Sequence, residues 1–305
     1  MVSPEKINYG GWLNCFRLSN RKIELIVTTD VGPRIIRFCL LKHENMFCEM
    51  PDMIGKTGGN EWRIYGGHRL WHAPEHPERT YYPDNSPVRL EEHSGFVRVV
   101  QPVEPTTGIR KEIDIAMGRA NHVRVTHRLV NRNLWAIDLS VWALSVMAPG
   151  GKAIIPLPPR GSHPKDLLPA NTMTFWPYTN MADPRWYWGE KYVMLTQDPE
   201  ASSPQKVGIE VPAGWAAYVR SGSLFIKRFS YVPGAVYPDR GCNMETFTNA
   251  DMLEVESLSP FTQLQPGASV EHVEDWYLFD DVQTPLNGEQ VDRFIIPRVN
   301  ETFEK

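Results

Sequence analysis

The chain has 305 residues, 22% of them charged, with a net charge of -4 and a pI near 6.2, which excludes a general electrostatic attraction to nucleic acid or to anionic membranes. No segment approaches the roughly 18 to 20 apolar residues of a membrane span, and MVSPEKINYGGW lacks the apolar run of a signal peptide, so a cytoplasmic protein is expected. Cys15, Cys39, Cys48 and Cys242 show no metal-ligand spacing and are too sparse for a disulfide scaffold; reduced, mostly buried thiols are expected.

Period-two alternation begins with KIELIVTT (22–29). YGGHRLWHAPE (65–75) follows, packing Arg69, Trp71, Glu75 and two histidines between glycines and a proline. In a helical turn His68 and His72 would sit about 6 Å apart and could share a metal. In an extended segment they would be about 13 Å apart and could not. Gly66, Gly67 and Pro74 argue against the helix, so a tight, cleft-lining connection is expected, with no joint metal site. Its imidazoles are then either hydrogen-bonded structural groups or substrate contacts suited to proton transfer near neutral pH.

Further strands are expected at FVRVVQPV (96–103) and IRKEIDIAM (109–117). HVRVTHRLV (122–130) and AIDLSVWALSVM (136–147) alternate cleanly, and the intervening residues suggest that they form a hairpin. PLPPRGSHPKDLLPAN (156–171) is too rich in proline for an ordered helix and is expected to be a functional loop over a cleft. After it, TFWPYTNMADPRWYWGE (174–190) gathers aromatic rings with Trp176, Tyr178, Asp183 and Arg185. Such rings and planar hydrogen-bonding groups suit a sugar, although a tryptophan's default is core packing.

GWAAYVR (214–220) and SLFIKRFSYV (223–232) come next, and FIKRFSYVPGAVYPDRGCNMETFTN (225–249) reads as one hairpin-like unit bringing together Lys227, Asp239 and Glu245. An ordinary polar turn has the same composition. In MLEVESLSP (252–260), alternation puts Glu254 and Glu256 on one strand face about 7 Å apart. In a cleft, repulsion and desolvation would raise at least one of their pKa values; on a solvated face the pair would be unremarked. SVEHVEDWYLF (269–279) is the last strand, and NGEQVDRFI is the one convincing short helix. Phosphate loops, GxSxG elbows, HExxH and EF-hand patterns are missing. The economical architecture is all-β: one large antiparallel structure with few short helices, filling residues 1–305 as a single domain.

The strand pattern, the GGHRLWHAPE segment and the terminal EVESLSPFTQLQPGASVEHVEDWYLF together resemble the galactose-mutarotase-like, or aldose 1-epimerase-like, β-supersandwich proteins. Glu256-Ser257, then Leu264-Gln265-Pro266-Gly267, then Trp276 to Phe279 follow that family's order. The resemblance implies a sugar-binding cleft with Glu256 as general base and a histidine as acid. It also implies substrate contacts near Arg63 and Tyr65-Gly66-Gly67-His68-Arg69. VWALSVMAPGG (141–151) has no histidine where the family places its acid, which leaves that role to His68 or His72. A small sugar or oligosaccharide is the expected ligand, with no cofactor or metal. The alternatives are a non-catalytic sugar-binding protein, and a glycoside hydrolase or lyase using Glu75 or Glu245 as a second carboxylate.

Overall fold

In the computed structural model, which describes residues 3–303, two large antiparallel sheets face each other. The first has eleven strands. It runs from an edge hairpin, Glu5–Tyr9 and Trp12–Ser19, through Ile23–Thr28 and Arg34–Leu40 to Gly67–Ala73. Ile137–Met147, Leu253–Leu258, Met244–Thr248, Gln205–Ile209 and Met173–Phe175 complete the path, and Thr262–Leu264 pairs with one end of Ile137–Met147. The second sheet has ten strands, with Ser223–Phe229, Ser269–Phe279, His122–Asn131 and Ile109–Met117 at its centre.

Alternating strands bury one apolar face each, and those faces meet between the sheets. Phe38, Phe47 and Phe225 surround Trp276 there at centroid distances of 5.5 to 5.8 Å. The second sheet's outer face is covered as well. The expected helix forms at Gly288–Phe294, capped by Asn287, whose side chain accepts from the Gln290 amide. A second helix, Ile296–Glu301, follows, and Val291, Ile295 and Val299 pack on Tyr192, Trp215 and Tyr277.

Three expectations need correction. His122–Asn131 and Ile137–Met147 are not a hairpin: the first pairs with Ile109–Met117 and Ser269–Phe279, the second with Gly67–Ala73 and Leu253–Leu258. The residues between them cross from one sheet to the other. Residues 225–249 likewise span both sheets, because Ser223–Phe229 pairs with Ser269–Phe279 while Met244–Thr248 pairs with Gln205–Ile209. Residues 67–73 are an interior strand rather than a connection. Gly66 and Gly67, with φ of +96° and +70°, make the sharp entry and Pro74 ends the strand. The proline-rich segment starts beside Tyr192, Trp215 and Ile296 on the second sheet's outer side.

Candidate functional site

Cross-strand register places the polar residues of the first sheet in rows. Arg69, Leu144, Glu256, Glu245 and Gly208 lie side by side across five strands. The next row is Gly67, Val146, Glu254, Phe247 and Lys206, and the row on the other side holds Trp71, Trp142 and Leu258. Directly opposed residues share a face, so all of these point away from the second sheet. The glutamates of the EVES segment therefore share a face as their spacing requires.

This face is charged at its floor and aromatic around it. Lys206 Nζ is 2.8 Å from Glu245 Oε2 and 3.2 Å from Glu256 Oε2, and it lies 4.9 and 4.8 Å from the ring centroids of Trp142 and Trp176. Trp142 Nε1 also donates to Glu256 Oε2 at 2.8 Å. Arg69 Nη2 donates to Glu254 Oε1 at 2.8 Å, and its guanidinium stacks 4.3 Å over Trp71. Tyr81 packs edgewise on Trp71 and on Trp62, Trp62 lies tilted against Trp71, and Tyr81 hydrogen-bonds to Glu75.

Glu245 and Glu256 are fully buried, and desolvation raises both carboxyl pKa values, more strongly for Glu245, against the pull of Lys206. Burial opposes the charge on Lys206, but Glu245 and Glu256 outweigh it and hold its pKa well above the ordinary lysine value. Several polar atoms here are buried without a hydrogen-bond partner: Arg69 Nε and Nη1, both Glu245 oxygens and Glu256 Oε1. Orphaned groups are costly unless something else meets them, and here they cluster on one face.

Strand alternation sends His68 and His72 the other way, into the space between the sheets, so the structure does not bring them to Glu256. His68 is fully buried in a polar network. Its Nε2 lies 2.6 Å from His127 Nε2 and its Nδ1 2.9 Å from Ser145 Oγ. His127 Nδ1 must donate to the His272 carbonyl at 3.0 Å, which makes His127 Nε2 an acceptor and His68 Nε2 the donor to it. His272 reaches Ser257 Oγ at 2.7 Å, and Ser257 donates to Glu274 at 2.5 Å. Lys227 pairs with Glu274 at 2.9 Å and donates to the Ala143 and Val255 carbonyls. Burial lowers the pKa of His68, His127 and His272, the last to about 3. His72, held to about 3 chiefly by burial, has no partner for Nε2.

His68, His127 and Glu274 have ligand atoms within 4.8 Å of one another, the one such group among the described residues. Two imidazole nitrogens on one tetrahedral zinc sit about 3.3 Å apart, however. The 2.6 Å spacing is that of a shared proton, and both rings already use both nitrogens in hydrogen bonds.

The remaining expected residues divide. Trp176 reaches the Lys206 cluster; Tyr178 is close enough for Lys206 and Glu256 to influence its phenol, which burial pushes up to about 12. Asp239 stands near enough to raise Glu245. Asp183 and Arg185 instead pair with each other at 2.9 Å, and Arg185 also holds Ser203. Lys227 belongs to the interior network, and Arg63 binds Gly58 O and the Tyr65 hydroxyl. Lys206 was not among the expected site residues. Its signal was present in QKVGI (205–209), where Lys206 and Gly208 alternate with Val207 and Ile209.

Two facing antiparallel sheets and few helices make a large β-supersandwich, the fold of galactose mutarotase-like proteins. Known structures bear this out. The chain is similar to a Synechocystis protein with a TM-score of 0.59 at 9% identity, over 90% of this chain and 99% of that one. It is also similar to a candidate aldose 1-epimerase from Escherichia coli, with a TM-score of 0.55 at 11% identity over 88% and 99%. A galactose mutarotase-like protein from Lactobacillus casei gives 0.56 at 9% over 87% and 100%. No protein-family model and no curated protein matches the chain. At such identities the likeness establishes the fold alone.

Proposed function

We propose that this chain binds a sugar on the outer face of its larger sheet. One observation carries the reading: Arg69, Glu245 and Glu256 each keep a buried polar atom without a partner, on one face, among Trp71, Trp142, Trp176 and Tyr81. Sugar hydroxyls would meet the orphaned atoms while the ring's C–H faces stack on the aromatics. Tryptophan fluorescence titrated with a panel of aldoses should show saturable change, weakened about tenfold or more by Glu256→Gln. A panel with no saturating member would end this reading.

Mutarotation is the second reading, favoured by Glu256, whose raised pKa and free Oε1 suit a proton acceptor near neutrality. Its acid is not His68 or His72, which lie between the sheets. Besides Lys206, the protic groups at this face are the Tyr81 and Tyr178 phenols, both raised by burial, and a phenol such as Tyr178 with a pKa of about 12 donates slowly. Anomeric exchange followed by NMR should therefore be slow in wild type and fall to the uncatalysed rate in Glu256→Gln. Equal exchange in both would remove the catalytic reading and leave binding.

A further inference from the structure

We infer that the ligand of this face carries an ammonium group: the floor is arranged for an amino sugar whose protonated amine takes the free carboxylate oxygens of Glu245 and Glu256. The inference rests on the sugar-binding reading above and sharpens it to a substrate class.

Glu245 and Glu256 are direct cross-strand partners, and one cation serves both. Lys206 Nζ donates to Glu256 Oε2 and lies at ion-pair distance from Glu245 Oε2, which leaves Glu256 Oε1 and both oxygens of Glu245 buried without a hydrogen-bond partner. The charges do not balance. Lys206 and Arg69 face Glu245, Glu254 and Glu256, two positive against three negative, with Asp239 close enough to act on Glu245. A second cation beside the two Oε1 atoms would close this deficit.

The donor inventory points the same way. An ammonium has three donors and no lone pair, so each contact it makes with this set of acceptors is a charge-assisted donation, whereas a hydroxyl has one proton to give and brings no charge. The surroundings already hold one ammonium, with the faces of Trp142 and Trp176 turned to Lys206. A divalent ion fits poorly, since it wants six or more oxygen ligands and would sit against Lys206 Nζ. The crowding of negative charge and burial raise both carboxyl pKa values, and a bound ammonium would lower them again. Binding an amine would then release any proton that either carboxyl holds.

The test is calorimetry on the full chain with glucosamine, galactosamine and mannosamine against glucose, galactose and mannose. At least one amino sugar should bind ten-fold or more tighter than its neutral parent, with a heat that varies with the buffer's ionisation enthalpy as a proton is released. Glu245→Gln, checked for folding by circular dichroism, should shrink that preference to less than three-fold; Glu256→Gln serves if the first variant does not fold. Neutral and amino sugars bound equally would overturn the ammonium inference and leave the sugar reading standing. No binding by any sugar would overturn both. A preference that survives both substitutions, or calcium binding lost on Glu245→Gln, would also overturn it.

Discussion

At the scale of single residues, the interior histidines have a sharper consequence than the site. His68, His72, His127 and His272 are held neutral, so their folded pKa values lie below the ordinary 6.5. Depressed values mean that their contribution to stability is complete above about pH 6.5 and is lost as pH falls through the folded values. For His72 that window runs from 6.5 down to about 3. Its Nε2 has no partner to lose, so His72→Leu should cost little at neutral pH. The variant should resist acid better, losing about 1.4 kcal/mol less per pH unit across that window. Urea unfolding at a series of pH values measures this, and parallel wild-type and variant curves would disprove it. Lys227 is the opposite case. Burial pulls its pKa down, but Glu274 pulls it back, and Lys227 in turn holds the Glu274 carboxyl below its usual range. Lys227→Met strands that carboxylate and should cost about 3 to 5 kcal/mol, with part recovered when Glu274→Gln is added. A double variant no more stable than the single one would show that the pair is not coupled.

At the scale of elements, the strand Gly67–Ala73 depends on its entry. A Cβ on Gly66 would lie 2.0 Å from the Cys48 carbonyl oxygen, in a backbone conformation with φ of +96° that side chains rarely adopt. Both faults are in backbone that cannot yield. Gly66→Ala should therefore cost about 3 kcal/mol or more, or prevent folding. Gly150→Ala provides the comparison: φ is +83° but the space is open, so only conformational strain of about 1 to 2 kcal/mol is expected. Chemical denaturation of both variants checks the difference, and equal losses would mean that the close approach to Cys48 contributes nothing. Alternation also decides chemistry here. His68 and Arg69 are neighbours in sequence, yet one enters the interior network and the other meets Glu254 on the outer face. Reading the segment as a connection hid that divergence.

At the scale of the whole molecule, Pro159–Ala170 is exposed throughout and carries neither helix nor strand. It runs from Lys152–Pro156 in the second sheet to the edge strand Met173–Phe175 of the first. Brief trypsin digestion should therefore cut first at Arg160 or Lys165, and the two fragments should co-elute on gel filtration, held by sheet pairing on both sides. Early cleavage elsewhere would show that this crossover is not the most accessible one.

Much of this was legible in the sequence. Strand positions, the helix Gly288–Phe294 and the shared face of Glu254 and Glu256 follow from hydrophobic periodicity, a property of a few neighbouring residues, whereas the supersandwich class came from the family resemblance. Sheet membership, and whether a face looks inward or outward, were decided only by tertiary pairing. Arg69 meets Glu254 across 185 residues and His68 meets His127 across 59. In Gly67–Ala73 both faces mix polar and apolar side chains, so its alternation carries no sign of which is inner. Only the opposing sheet, by supplying His127 and Glu274, made a polar interior favourable for His68 and left the outer face to Arg69 and the glutamates.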